Sequence, residues 1–170
     1  MQTNPLVSII MGSMSDWSIM EKSAVFFEEN QIPFEIHALS AHRTPEQVEE
    51  FAKNAHKRGI KVIIAAAGMA AHLPGVIASM THIPVIGVPI KSSFEGLDAL
   101  LAIVQMPPGI PVATVGVNAS LNAAILALQI ISLNDDELNS RLINYKNNLK
   151  NKVIQANEDL KQINFKFKTN

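Results

Sequence analysis

One short segment of the chain, Ser40-Ala41-His42-Arg43-Thr44-Pro45, places a histidine next to an arginine. A histidine side chain can donate and accept a proton near neutral pH, whereas an arginine keeps its positive charge and binds phosphate or carboxylate groups. His42 could therefore exchange a proton with a ligand while Arg43 holds an anionic part of it. A structural interpretation stays open at this point, in which backbone carbonyls satisfy His42 and Arg43 is a solvated charge.

Two other segments carry groups of the kind that ligand sites use. Gly12-Ser13-Met14-Ser15-Asp16 offers two hydroxyls and free backbone N–H groups before a helix, which suits a phosphate, and its carboxylate could accept hydrogen bonds from sugar hydroxyls. Either serine could equally be a helix N-cap. Residues 66–75 combine small side chains, which leave room for a ligand, with His72. This histidine is either a second proton donor or a residue that starts a helix.

The residues around the hexapeptide predict how it is held. Residues 33–39 alternate apolar with polar or small side chains, as a strand with one better-buried face would. Downstream, Thr44 can act as a helix N-cap, Pro45 suits the first helical position, and Gln47 completes a capping box. Gly59 then ends the helix. The hexapeptide is thus expected at the carboxyl end of a strand, directly before a helix.

Strands and helices alternate along the rest of the chain. Further apolar runs that fit strands buried on both faces occur at 6–11, 61–67, 83–88 and 111–117. Helical patterns occur at 19–27, 73–80, 96–105 and 120–132. The predicted fold is therefore α/β, a three-layer αβα sandwich with a five-stranded parallel sheet, flavodoxin-like strand order and a C-terminal helical arm. Ligands of such sheets bind at the carboxyl ends of the strands, where the three loops described above should meet.

Length and composition limit the class of protein. The 170 residues fit a single domain, 1–170, with a core at about 5–133, a helical arm at about 135–160 and a frayed tail at 161–170. A net charge of -1 without runs of Lys or Arg gives no electrostatic footprint for nucleic acid or an anionic membrane. The chain has no cysteine, which excludes disulfides and thiolate metal sites. Because no leader-like or membrane-spanning run is evident either, we expect a soluble, unprocessed, cytoplasmic protein.

Two of the predicted helices are apolar nearly all round, although a surface helix of a monomer should have a polar face. They lie at 97–104, where Asp98 is the exception, and at 122–131. One interpretation is deep burial under the carboxyl-terminal arm, which begins with Asn134 and Glu137 in capping-box positions. The other is burial against another subunit, which the small size of the domain favours. We therefore expect a homo-oligomer.

Four motifs in this order and spacing resemble those of one enzyme family. They are Met11-Gly-Ser-Met-Ser-Asp16, Ser40-Ala-His-Arg-Thr-Pro45, Ala70-Ala-His-Leu-Pro-Gly75 and Gln105-Met-Pro-Pro-Gly-Ile-Pro-Val112. Through them the chain resembles the class I N5-carboxyaminoimidazole ribonucleotide mutases of purine (IMP) biosynthesis. The resemblance covers nearly the whole chain to about Asn134, and a helical tail follows as in the family.

The resemblance implies an isomerase that moves a carboxylate from the N5 carbamate to C4 of the aminoimidazole ring, without metal, nucleotide or organic cofactor. It also implies assembly into a homo-octamer. His42 matches the catalytic histidine, which shuttles the proton between the leaving nitrogen and C4. Ser13, Asp16 and Arg43 match ribonucleotide-binding positions, with Arg43 and the serines on the phosphate and Asp16 on the ribose. Further substrate-binding positions are matched by Ser15, Ser40, Gly68, Ala70, His72 and Leu73.

Three residues depart from the pattern of the family. Ala66 and Met69 stand where many members have glycines around Gly68, which predicts a bulkier pocket wall. Pro108 stands where a basic residue is common, which removes one charge contact. None of these positions is adjacent in sequence to the hexapeptide.

Two alternative functions stay open at the level of sequence. The first is the class II reaction, in which the same fold carboxylates aminoimidazole ribonucleotide directly from carbon dioxide, although the Ala70-Ala-His-Leu-Pro motif favours class I. The second is a non-catalytic flavodoxin-like binding module. With Trp17 and Tyr145 as the only residues of their kinds, no aromatic pair for a flavin is evident.

Overall fold

Alternating strands and helices make up the computed structural model, which describes residues 4–170. The strands are β1 (Val7–Met11), β2 (Phe34–Ala38), β3 (Val62–Gly68), β4 (Val85–Ile90) and β5 (Ala113–Thr114). The helices are α1 (Trp17–Glu29), α2 (Pro45–Asn54), α3 (Leu73–Met80), α4 (Leu97–Val104), α5 (Ser120–Ile131) and α6 (Asp136–Lys161). Single 3-10 turns occupy Met14–Asp16, Ala55–Arg58, Phe94–Gly96 and Ser132–Asn134.

The five strands form one parallel sheet in the order β2-β1-β3-β4-β5. A continuous row of apolar residues crosses it, since Ile9 is opposite both Ile36 and Ile64, and Ile64 is opposite Ile86. Every residue of β1 and β4 is buried, as expected for strands covered on both faces. The predicted α/β fold with flavodoxin-like strand order is confirmed.

Helices cover both faces of the sheet. On one face α2, α3 and α4 contribute Val48, Ile77 and Ile103 to a core that includes Ile10 and Ile63 of the strands. On the other face α1 packs against α5, and their contact is fixed by two buried serines. Ser23 Oγ of α1 donates to the Ser120 carbonyl at 2.7 Å, and Ser120 Oγ donates to the Ile19 carbonyl at 2.5 Å. These bonds satisfy hydroxyls that would otherwise be buried without partners.

The last strand is shorter than its sequence pattern predicts. Residues 111–117 read as a strand, but only Ala113–Thr114 pair with β4, opposite Ile86 and Gly87. Pro111 has no N–H group to donate to a neighbouring strand, and beyond Thr114 only single hydrogen bonds reach β4, from Val115 N to the Gly87 carbonyl at 3.2 Å and from Asn118 N to the Pro89 carbonyl at 2.8 Å. The segment is therefore mostly a connection.

At two helix ends the structure differs in detail from the prediction. The predicted capping pair of Asn134 and Glu137 is wrong, because Asn134 belongs to a 3-10 turn and the N-cap of α6 is Asp135, whose side chain accepts from Leu138 N at 3.0 Å. The helix predicted to end at Gly59 becomes α2 followed by a 3-10 turn. Gly59 still ends it, with a φ of 93° that favours glycine.

Contacts within the chain define two compact units. The first runs to Ile131 and contains the sheet with α1 to α5, and the second, Ser132–Asn170, contains α6. After α6, Lys168 Nζ donates to the carbonyl of Ile163 at 2.9 Å and to that of Lys161 at 3.1 Å. The first three residues of the predicted domain range 1–170 lie outside the described residues. Among residues 4–170, no helix is both long and apolar enough to cross a lipid bilayer.

Candidate active site

A cleft of about 830 Å³ lies at the carboxyl ends of the strands. The loops after β1, β2, β3 and β4 line it, together with Asn118 from the connection between β5 and α5. All ten predicted site residues lie along this cleft: Ser13, Ser15, Asp16, Ser40, His42, Arg43, Gly68, Ala70, His72 and Leu73. The parallel sheet is what brings these separate loops to one edge.

Arg43 joins the loop after β2 to the loop after β1. Its Nη2 donates to the Gly12 carbonyl at 2.8 Å, and its Nε donates to Ser40 Oγ at 3.4 Å. The guanidinium is thereby held next to the turn that leads into α1. A phosphate bound at this turn would meet the arginine charge, the serine hydroxyls and backbone N–H groups together.

The hexapeptide is braced by Thr44 in an unexpected way. Thr44 is the residue before α2 and Pro45 is the first residue of that helix, as predicted, but the Thr44 side chain does not cap the helix. Thr44 Oγ1 instead accepts from Ser40 N at 2.9 Å and donates to the Ser40 carbonyl at 3.1 Å. The predicted capping box with Gln47 is therefore wrong. Local bonding of this kind competes with helix capping, and here it fixes the loop that carries His42 and Arg43.

The segment after β1 forms a tight turn around Ser13. Ser13 Oγ accepts from Ser15 N at 3.3 Å, the Ser13 carbonyl accepts from Asp16 N at 3.1 Å, and Ser15 Oγ donates to Asp16 Oδ1 at 3.2 Å. Ser13 is thus an N-cap, one of the two roles considered for it. Burial raises the pKa of Asp16 above its ordinary value of 3.8, against smaller opposing effects of the Ser15 hydroxyl, the Ser13 backbone and the Arg43 charge.

The two histidines of the predicted site are in direct contact. Nε2 of His42 lies 2.8 Å from Nδ1 of His72, and the rings meet edge to face with centroids 4.9 Å apart. His72 also directly precedes the first residue of α3, as the helix-start interpretation expected, while its role as a second proton donor stays a prediction. The sequence separates these residues by thirty positions, and only the neighbouring ends of β2, β1 and β3 bring them together.

The loop after β3 shows why small residues are needed there. A Cβ on Gly68 would lie 3.2 Å from the Ile90 carbonyl oxygen, so a side chain would crowd β4. Met69 follows with a φ of 55°, and its side chain lines the cleft. Ala66 is fully buried within β3 and does not line the cleft, so of these two residues only Met69 can make the cleft wall bulkier. Pro108 also lies outside the cleft lining.

Sequence reasoning missed the loop after β4. Lys91 and Ser92 line the cleft, and Asn118 positions them because its Oδ1 accepts from Lys91 N at 2.9 Å. Lys91 Nζ pairs with the carboxylate of Glu95. The sequence signal that could have found this loop is its position, since Lys91 directly follows a strand, as the other cleft-lining loops do. Within residues 4–170, no group of three or more His, Cys, Asp or Glu side chains is arranged to hold a metal ion.

Comparison with known proteins identifies the family of the chain and supports its fold. A family model described as AIR carboxylase matches residues 6–152, and the chain belongs to that family. Similar curated proteins include the N5-carboxyaminoimidazole ribonucleotide mutase of Thermotoga maritima, 52% identical over 163 residues that cover 95% of this chain and 95% of that protein. The protein of the same description from Pyrococcus horikoshii is 54% identical and covers 94% of this chain and 90% of its own length.

A solved structure supports the same conclusion. The crystal structure of Treponema denticola PurE superimposes with a TM-score of 0.84 at 34% sequence identity, over 93% of this chain and 99% of that one. The family resemblance inferred from the four motifs is confirmed. The alternative functions considered from the sequence are not favoured by these matches.

Proposed function

We propose that this protein is an N5-carboxyaminoimidazole ribonucleotide mutase, an isomerase that forms 4-carboxy-5-aminoimidazole ribonucleotide in purine biosynthesis. One observation carries the proposal. In a chain about half identical to mutases over nearly its whole length, His42 lies beside Arg43 and the serine turn in a single cleft. A proton carrier and an anion site are the two elements that the reaction requires.

Different loops of the cleft bind different parts of the ribonucleotide. Arg43, Ser13 and Ser15 bind the phosphate, and the Asp16 carboxylate accepts hydrogen bonds from the ribose. The base then extends toward His42 and the loop after β3, where Gly68 and Ala70 leave space against the backbone. Ser40, His72 and Leu73 complete the walls. The support for this division is the charge distribution, because the fixed cation of the hexapeptide is anchored at Gly12, beside the serine turn.

His42 carries one proton through the reaction. In the first step the bond between N5 and the carboxylate carbon breaks, its electron pair stays on nitrogen, and protonated His42 gives a proton to N5. The released carbon dioxide stays in the pocket. In the second step C4 attacks it, and neutral His42 takes the proton that C4 loses as the ring regains aromaticity. The proton count is restored, and the route uses no cofactor.

The proposal also covers the location of the protein and its oligomeric form. We propose a cytoplasmic homo-octamer. Support for assembly comes from apolar side chains of α4 that stay exposed in the single chain, notably Leu97, Leu101 and Val104. A surface of this kind is typical of a subunit interface.

The experiment that tests the function offers each substrate separately. The purified protein should convert N5-carboxyaminoimidazole ribonucleotide to the C4 carboxylate in buffer freed of bicarbonate. It should not carboxylate aminoimidazole ribonucleotide when bicarbonate is supplied at a comparable concentration. Efficient carboxylation of the second substrate, with no conversion of the first, would establish the direct carboxylase instead.

A further inference from the structure

We infer that His72 is a positioning residue which holds the Nε2 proton of His42, so that His42 exchanges its catalytic proton through Nδ1. The inference rests on the proposed function for the exchange step and on the structure for the contact between the rings. That contact is 2.8 Å long, and the ring planes are 81° apart. The resemblance to the family placed His72 only in the pocket and gave it no such role.

The contact restricts where the protons of the two rings can be. A hydrogen bond between Nε2 of His42 and Nδ1 of His72 contains one proton, so one nitrogen donates and the other accepts. If His72 donated, neutral His42 would carry its only proton on Nδ1. Loss of that proton to a substrate would leave an imidazolate anion, which is far too basic to form near neutral pH.

The opposite assignment permits the reaction. If His42 donates from Nε2, loss of a proton from Nδ1 leaves an ordinary neutral imidazole, and the same nitrogen can then accept the proton from C4. The bond from Nε2 to His72 is unchanged in both states of His42. His72 therefore acts without changing its own protonation state, and Nδ1 of His42 is the exchanging atom.

The surroundings of the two rings support this division. Within residues 4–170, no hydrogen bond engages Nδ1 of His42, which leaves it free for a ligand. His72 is anchored by its backbone, since its N–H donates to the Ala70 carbonyl at 2.7 Å and its carbonyl accepts from Val76 N at 2.9 Å. His72 is thus held directly before the first residue of α3, whereas His42 lies on a loop and its ring needs a partner to fix its orientation.

A spectroscopic measurement tests the assignment in the native protein without turnover. Nitrogen chemical shifts of the ¹⁵N-labelled protein distinguish an imidazole protonated on Nε2 from one protonated on Nδ1, and the His42→Asn variant identifies the signals of His42. We expect neutral His42 to carry its proton on Nε2. A neutral ring protonated on Nδ1 would overturn the inference, whether or not the mutase assay succeeds.

Substitutions of His72 test the consequence for catalysis. His72→Ala should lower kcat about 10- to 100-fold, the range seen when a group that orients a metal-bound histidine is removed, with KM changed less than about threefold. His72→Asn places an amide oxygen near the position of Nδ1 and should recover most of that loss, whereas His72→Gln should not. Equal losses in the Ala and Asn variants, or a loss confined to KM, would contradict the inference.

The chain offers a matched control in a second histidine pair. The rings of His56 and His82 lie 5.5 Å apart, and neither residue lines the cleft. His82→Ala should leave both kcat and KM unchanged. A loss of kcat as large as that of His72→Ala would mean that removal of any paired histidine harms the protein, and the proposed role of His72 would be wrong.

Discussion

At the scale of single residues, the cleft keeps the charge of Arg43 available for a ligand. Asp16 is the acidic residue in the described lining of the cleft, but the Arg43 charge is only the smallest of the effects on its pKa, and burial dominates. The partners of the guanidinium are a carbonyl and a hydroxyl, both neutral. Arg43 is therefore oriented without being neutralised, as a phosphate site requires.

Substitution of Arg43 should mainly weaken binding of the substrate. Arg43→Ala removes charge-assisted hydrogen bonds, each of which contributes about 1.5–3 kcal/mol, so KM should rise roughly 10- to 100-fold for a single lost contact. Lys57→Ala, which removes an exposed cation outside the cleft, should leave KM unchanged. Equal affinity of the native protein for phosphorylated and dephosphorylated ligands, measured by calorimetry, would count against the phosphate role.

Substitution of His42 should abolish turnover with little effect on the fold. His42→Asn retains a polar side chain at an exposed loop position but cannot carry a proton, so kcat should fall by at least about 10²–10⁴-fold. Substrate affinity and the circular dichroism spectrum should stay close to those of the native protein. Near-normal turnover in this variant would refute the assignment of His42 as the proton carrier.

At the scale of secondary-structure elements, the edge strand β2 is held by charge as well as by apolar contact. Ile36 and Ala38 of β2 are exposed, which leaves this strand less covered than β1, β3 or β4. Glu35 compensates by accepting from Arg58 Nη2 at 3.0 Å, and Arg58 in turn lies over the Phe51 ring of α2. The 3-10 turn after α2 is thereby tied to the strand that precedes the hexapeptide.

This ion pair should make stability depend on pH. Burial, the largest influence, raises the pKa of Glu35, but the hydrogen bond and charge of Arg58, together with smaller effects of His37 and Ser8, more than offset it and hold the pKa below 4.5. The stabilising contribution is therefore fully present above about pH 4.5 and is lost as the pH falls through the lowered pKa. Glu35→Gln should reduce the free energy of unfolding by about 1 kcal/mol at pH 7 and by less at pH 3.5. Urea titrations at one protein concentration measure both values.

The pH dependence of stability that Asp16 causes has the opposite sign to that of Glu35. Because its pKa is raised, the folded state binds the proton more tightly than the unfolded chain, and the contribution of Asp16 to stability is lost as the pH rises from 3.8 through the raised pKa. Asp16→Asn should therefore leave stability at pH 7 unchanged or increased. A decrease as large as that of Glu35→Gln would contradict the burial argument.

At the scale of the whole molecule, apolar side chains stay exposed where a single chain has nothing to cover them. On α4, Leu97 is 54% exposed and Val104 is 52% exposed, and the adjacent Phe94 is 81% exposed. In the second unit, Val153 and Leu160 of α6 are exposed as well. Both helices carry apolar residues at outer positions, which supports the proposed assembly.

The assembly is tested by its mass in solution. Multi-angle light scattering should give eight times the 18.5 kDa of one chain. Leu101→Glu, which places a charge on the exposed face of α4, should lower the mass, whereas Gln47→Glu, the same charge on the exposed polar side of α2, should not. A stable monomer of the native protein would contradict the proposal of an octamer.

The predictable and unpredictable parts of the structure differ in the range of the interactions that set them. Apolar runs located β1, β3 and β4, an alternating pattern located β2, and Gly59 marked a helix end, because burial patterns and positive φ angles depend on neighbours in sequence. Thr44 was misjudged because two bonding patterns compete for its hydroxyl, and the winner depends on the conformation of Ser40. The length of β5 depends on how many of its residues can pair with β4, and a local sequence pattern does not contain this information.

The sequence by itself determined the order of strands and helices along the chain, the strand ends at which polar residues gather, and the family to which the chain belongs. Each of these three properties depends on short motifs or on the spacing of apolar residues, both of which can be read directly from the sequence. Only the tertiary structure decided that His42 and His72 form a hydrogen bond, that Lys91 joins the cleft, and that Ser23 and Ser120 lock α1 to α5. The physical reason is that these contacts join residues far apart in the chain. Whether such residues meet depends on the positions of their strands in the sheet and on the conformations of the loops.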